Sequence, residues 1–201
     1  MIKHSYFVLQ KNNYPQDIVL SDQTHSDVVN IVNSVTDKHA GDALVTTKKN
    51  LKIGVLTADC LPIIYFDKTN KVIAISHNGW RGISNNLIKN TLKEMQNLGA
   101  DINKIECHIG MGIGTCCYKI YGERLKIFRD RFSEVETQII IKEHDETYLN
   151  LKSCAKHKLL QHGVLSKNIS VDVSCTSCNK DLPSFRRDGH ANLQILTYIS
   201  M

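Results

Sequence analysis

The chain is poor in proline, with three in 201 residues, and carries a single tryptophan. It has no internal repeat, no low-complexity tract and no Pro- or Gly/Ser-rich linker, and no charge block divides it. A chain with so little punctuation reads as one compact domain over residues 1–201, long enough to bury roughly 70% of its unfolded surface. No stretch approaches the roughly 18 apolar residues of a membrane span. The apolar run in Met1-Ile-Lys-His-Ser-Tyr-Phe-Val-Leu-Gln is too short for a secretory signal. A cytoplasmic protein with no membrane partner is therefore expected. A dense Lys/Arg run is also missing, and a net charge of +5 fits a solvated lysine-rich surface better than a nucleic-acid interface. It is compatible with an anionic small substrate. The seven cysteines are odd in number, which without a secretory signal favours free thiols over a disulfide framework.

What the chain does have is three short motifs, each carrying one potential metal ligand: Gln23-Thr24-His25, Thr57-Ala58-Asp59-Cys60, and His77-Asn78-Gly79-Trp80-Arg81-Gly82. Two imidazoles and one thiolate can hold zinc with a position left open, as catalytic zinc requires. The spacing is too wide for a zinc finger, so a fold must gather the ligands. Cys60 and His77 also suit a metal-free thiol–imidazole nucleophile pair. The glycines at 79 and 82 let the backbone approach a ligand closely, and the helix expected next would offer free N–H groups to an anion. Arg81 adds a guanidinium fork for phosphate or carboxylate. Asp59 is the candidate general base or orienting partner, with a turn-forming carboxylate as its plain alternative.

The apolar pattern predicts strands over 52–58, 105–109, 138–142, 169–174 and 193–199, and a hairpin of 61–66 with 71–76 around Asp67-Lys68-Thr69-Asn70. It predicts helices over 83–98, capped by Gly99, over 121–132, and over 149–161, stopped near Gly163. Strands interleave with helices but several are hairpin-like, which favours an α+β mixed sheet. Gly110-Met111-Gly112-Ile113-Gly114 is Gly-rich but lacks dinucleotide-fingerprint spacing. It reads as a pocket-lining loop or a plain turn. Cys175-Thr176-Ser177-Cys178 is a C-x-x-C pair, but Cys116-Cys117 is vicinal and poorly spaced to complete a zinc site with it. Arg186-Arg187 suits an anionic group. His4, His39, His144, His157 and His162 read as surface residues, and His108 as structural.

Taken together, these motifs resemble the YfiH family, also called the laccase-domain or polyphenol-oxidase family. The signatures are Gln23-Thr24-His25, Thr57 to Pro62, His77 to Gly82, Ile109-Gly110 through Cys117-Tyr118, and Cys175-Thr176 with Ser184-Phe185-Arg186-Arg187. The resemblance implies layered mixed β-sheets flanked by helices, as in YfiH and the catalytic domain of cytotoxic necrotizing factor. It implies zinc at His25, Cys60 and His77, with copper as the rival metal. It implies phosphorolysis of adenosine, inosine, guanosine or methylthioadenosine, and adenosine deamination, with nucleoside and phosphate as small-molecule partners. On this reading Asp59, Cys60 and Arg81 are catalytic, and Gln23, Arg81, Gly82 and Arg186 bind substrate. The alternatives are a cell-wall-editing amidase acting on a nucleotide-linked muramyl precursor, a copper-dependent phenol oxidase, and a non-catalytic ligand-binding module. The chain departs from the family pattern at Asn78, Met111 and Asp188-Gly189-His190. The last of these bears on substrate affinity and pocket closure, and none touches the metal ligands.

Overall fold

The computed structural model describes residues 2–36 and 40–201; His39 lies outside them. In chain order the described strands are β1 (Lys3–Gln10), β2 (Ile18–Leu20), β3 (Val29–Ile31), β4 (Ala43–Thr46), β5 (Lys52–Thr57), β6 (Leu61–Asp67), β7 (Val72–Asn78), β8 (Glu106–Ile109), β9 (Ile140–Glu143), β10 (Glu146–Leu149), β11 (Ile169–Val171) and β12 (Leu193–Ser200). The described helices are α1 (Trp80–Ser84), α2 (Leu87–Asn97), α3 (Gly122–Arg131), α4 (Glu136–Ile139), α5 (Leu151–Gln161) and α6 (Phe185–Asp188). The strands form a four-stranded sheet in the order β1-β12-β5-β2, a six-stranded sheet in the order β11-β8-β6-β7-β4-β3, and a small β10-β9 ribbon.

Alternation along the central strands builds the layers. In β4, β6 and β7, Leu44, Ile64, Ile73 and Ile75 face the four-stranded sheet, where they meet Val19, Ile53, Val55 and Ile199. Their neighbours Val45, Ile63, Tyr65, Val72 and Ala74 face the helices, packing with Ile88, Leu92 and Met95 of α2, Phe128 of α3, and Leu151 and Leu159 of α5. A period of two places successive side chains on opposite faces, so β6 is apolar over Leu61–Phe66 and β7 over Val72–Ile75 because both of their faces are covered. Each such Val, Leu, Ile, Phe or Met side chain contributes about 1.5–3 kcal/mol on full burial. The result is the mixed α+β layering that the sequence predicts.

The 61–66/71–76 hairpin forms as β6 and β7. Buried Asp67 closes its turn by accepting from the backbone N–H groups of Thr69 and Asn70 and the Asn70 amide. The helix predicted over 83–98 instead starts at Trp80 and breaks at Asn85-Asn86. Asparagine is a weak helix former, and two in succession mark the break; the Arg131 guanidinium fills it, donating to the Ser84 carbonyl and to Asn85 Oδ1. Gln138 and Ile139, predicted to open a strand, end α4. β5 and β6 belong to different sheets. Residues 58–60 thus form a corner between the sheets, where Asp59 takes a φ of +92°.

Candidate metal centre

That corner places the first ligand. Cys60 precedes β6, and in the β6–β7 register His77 pairs with Pro62, two residues on. Thiol and imidazole therefore share one end of the six-stranded sheet. His25 arrives from the loop between β2 and β3, with a left-handed φ of +57°. The ligand atoms of His25, Cys60 and His77 all lie within 4.8 Å of one another. The Cys60 Sγ and His25 Nε2 are 4.0 Å apart, and the two imidazole centroids 4.9 Å apart. The group grades from exposed His25 through half-buried Cys60 to buried His77, so one side opens to a ligand.

Asp42 organises this arrangement, although the sequence reading does not single it out. Its carboxylate is fully buried. Oδ1 accepts from His77 Nδ1 at 2.8 Å and from the His25 backbone N–H at 3.1 Å. Oδ2 accepts from the Ser26 N–H and hydroxyl at 2.6 and 2.7 Å, and from the Thr24 N–H at 3.2 Å. The His77 backbone N–H donates to the Asp42 carbonyl at 2.7 Å. One carboxylate thus fixes the His25 loop and the tautomer of His77, leaving Nε2 of His77 as its donor atom for a cation.

The electrostatics follow from this packing. Burial opposes ionisation of Cys60, but His25 and His77 outweigh it and bring the thiol down to about 7. Burial likewise disfavours charge on His77, yet Asp42 and Cys60 hold the imidazolium up to about 9. A cation needs the thiolate and the neutral imidazole, so its binding must expel these protons. Zinc affinity should rise with pH up to about 9, by about tenfold per unit between 7 and 9, where the His77 proton is displaced, and more steeply below 7, where the Cys60 proton is displaced as well. Competition titrations with a chromophoric chelator across that range check this.

The three donors line a cleft of about 900 Å³ shared with Gln23, Trp80, Tyr118, Arg124, Phe185 and Arg186. The structure distributes the other predicted residues unevenly. Gln23 lies on the cleft wall, but its amide is engaged with Leu56, donating to the carbonyl and accepting from the N–H at 2.8 Å each. Asp59 also lines the cleft, with Oδ1 accepting from the Thr176 hydroxyl and Oδ2 from the Arg186 N–H, both at 2.6 Å. Its carboxylate therefore braces the 176–186 segment. The Arg186 guanidinium binds the carbonyls of Cys117 and Lys119 and lies 5.2 Å from the Tyr118 ring.

Arg81 and Gly82 fall outside this lining. Arg81 stacks on Trp80 at 4.5 Å and faces an adjoining cleft of about 650 Å³. Gly82 is buried, and a Cβ there would stand 3.0 Å from Leu87 Cδ2; its role is packing. The helix that follows His77 has only five residues, too short for the expected anion cradle at its start, because the macrodipole builds with length. Arg124, which the sequence reading misses, does face the main cleft. Its guanidinium lies 4.8 Å from the Trp80 ring and 5.8 Å from that of Tyr118, and among the described residues its buried Nε–H has no partner. Arg187, by contrast, ties the 176–188 loop through the carbonyls of Thr176, Asn179 and Leu182.

Two histidines and one cysteine thus form a group able to hold a metal ion at the end of a layered α+β fold. The chain belongs to the family described as multi-copper polyphenol oxidoreductase laccase, whose model matches residues 4–201. It is 32% identical over 187 residues to a purine nucleoside phosphorylase of Clostridium acetobutylicum, covering 92% of this chain and 77% of that one. An adenosine deaminase of an unidentified prokaryote is 29% identical over 174 residues, covering 81% and 66%. Among solved structures, the hypothetical protein YfiH of Bacillus licheniformis superposes with a TM-score of 0.85 at 27% identity, covering 92% of this chain and 74% of that one. YlmD of Geobacillus stearothermophilus, at 23% identity and a TM-score of 0.81, shares the fold.

Proposed function

We propose that the protein is a zinc-dependent enzyme acting on purine nucleosides, splitting them with phosphate and deaminating adenosine. One observation carries the reading: the His25–Cys60–His77 group opens onto the same cleft as the rings of Trp80 and Tyr118 and the guanidinium groups of Arg124 and Arg186. The similarity to chains named purine nucleoside phosphorylase and adenosine deaminase supports it. A volume near 900 Å³ suits a nucleoside with phosphate.

When bound, the metal would supply Lewis-acid polarisation and a lowered water pKa. A thiolate with two imidazoles is a zinc-type donor set. The phenol-oxidase alternative needs a multi-histidine constellation, and among the described residues neither His/Cys group has more than two histidines.

The side chains of this chain do the rest. Trp80, half-buried at the cleft, offers an aromatic surface beside the purine, and buried Tyr118 backs the guanidinium groups of Arg124 and Arg186. Arg124 and Arg186 offset the charge of phosphate and hold it against the sugar. In phosphorolysis a phosphate oxygen bonds to the anomeric carbon as the bond to the purine nitrogen breaks. The electron pair leaves on the base, which then takes up a proton. Asp42 contributes by positioning His77.

The test is zinc-loaded protein with inosine and phosphate, before and after chelation. Hypoxanthine and ribose 1-phosphate should form and should stop forming on metal removal. No release by the loaded protein refutes the assignment. Hydrolysis of a muramyl-alanine precursor in the same assay would favour the amidase instead.

A further inference from the structure

We propose that Cys116, Cys117, Cys175 and Cys178 form a second metal centre, a closed tetrathiolate zinc site that clamps the loop bearing Thr176 and Arg186 onto the loop bearing Tyr118. The proposal does not rest on the nucleoside reading. It also reverses the inference drawn from spacing, which left the C-x-x-C pair without partners.

Fold topology supplies the missing half. Gly112 and Cys175 form a parallel bridge, and the Thr176 N–H donates to the Gly112 carbonyl at 3.2 Å. This pairing lays Cys175–Cys178 against residues 115–117, which form a 3-10 turn. Vicinal Cys116 and Cys117 both lie on this turn, and the sulfurs of both come up to Cys178. All four sulfurs lie within 4.8 Å of one another. Cys178 Sγ is 3.4 Å from both Cys116 Sγ and Cys117 Sγ. A tetrahedron with Zn–S bonds of about 2.3 Å has sulfur–sulfur edges of about 3.8 Å, within the span observed. A disulfide would need about 2.05 Å and could use only one of the two contacts.

The surroundings suit a thiolate centre. The Gly114 N–H donates to Cys175 Sγ at 3.1 Å, and glycine is required there because a Cβ would stand 2.9 Å from the Cys175 Cβ and 3.2 Å from Cys116 Sγ. Half-buried Lys152 donates to the carbonyls of Asp172 and Ser174, which brings a cation beside the dianionic charge of four thiolates around Zn²⁺. Four protein ligands leave no open position, so this site is structural. Its task is mechanical: Thr176, next to Cys175, holds Asp59, next to Cys60.

Zinc content of the purified full chain tests this, alongside Cys60→Ala and Cys178→Ser. The expected result is about two zinc per wild-type chain and about one in each variant. Cobalt-loaded Cys60→Ala should show a tetrahedral tetrathiolate spectrum that Cys178→Ser lacks. In zinc-loaded Cys60→Ala, four thiols should resist alkylation until chelator is added, a readout that stands even if Cys178→Ser fails to fold. One zinc in the wild type with none in Cys60→Ala overturns the proposal. So does a disulfide from Cys178 to Cys116 or Cys117 in protein isolated under reducing conditions. If instead the centre at His25, Cys60 and His77 is the empty one, Cys178→Ser loses all its metal, so the two claims fail separately.

Discussion

Asp42→Asn should cost about 3 kcal/mol of stability and weaken zinc binding about 10–100-fold. The carboxylate accepts from Thr24, His25, Ser26 and His77 while fully buried. An amide replaces one acceptor oxygen with a donor that faces other donors, and a buried unsatisfied pair is costly. The His25 loop and the His77 ring then lose their common anchor together. The pH dependence sharpens the expectation. Burial opposes ionisation of Asp42, but bonds from His77 and Ser26 bring its carboxyl from 3.8 down to about 2. A lowered folded-state pKa adds stability that is complete above the unfolded value and is lost as pH falls through the folded one. Wild-type protein should therefore lose about 2 kcal/mol from this group between pH 4 and 2, and Asp42→Asn should lack that titration. Urea unfolding at several pH values, with zinc competition at neutral pH, measures both. Wild-type stability and affinity in the variant would contradict the anchoring role.

Gly79→Ala should lower turnover about a hundredfold while changing the stability of the metal-free protein little. The Gly79 φ of −74° is open to alanine, so the backbone carries no penalty. The obstacle is the centre itself: a Cβ would stand 3.0 Å from His25 Cδ2 and 3.1 Å from Cys60 Sγ. Both ligands would have to shift by a few tenths of an ångström, which disturbs the metal centre more than the fold. Gly82→Ala provides the contrast. Its Cβ meets Leu87, so it should lower the melting temperature and spare zinc affinity. Thermal unfolding, zinc titration and inosine phosphorolysis of both variants separate the two glycines. Equal effects on metal binding would show that the crowding at residue 79 is not felt by the ligands.

The three candidate ligands that the fold brings together were legible in the sequence because each sits in a short motif with chemistry of its own: an imidazole or thiol beside turn-forming residues. Asp42 was not. It lies between the short strands β3 and β4, in a stretch with no helical or alternating pattern, and its partners are 16 to 35 residues away in sequence. Arg124 was hidden for a related reason. It reads as an ordinary surface charge of α3, and only the packing of that helix carries it over Trp80. Arg81 was the converse: adjacency to His77 in sequence did not place its guanidinium in the same cleft. The long helix α5, apart from the Leu149 at which it was expected to start, and the continuous apolar runs of the β6–β7 hairpin could be read directly. β2, β3 and β4, at three or four residues each, are too short to show a period. The change of sheet between β5 and β6 depends on which faces are covered, and sequence patterning does not record that.

Anomalous scattering at the zinc edge from crystals of the metal-loaded protein addresses the central claim most directly. A strong peak should lie among Cys60 Sγ, His25 Nε2 and His77 Nε2, with His77 Nδ1 still bonded to Asp42. Full metal loading with no peak among those three atoms would contradict the account, whatever activity the protein displayed.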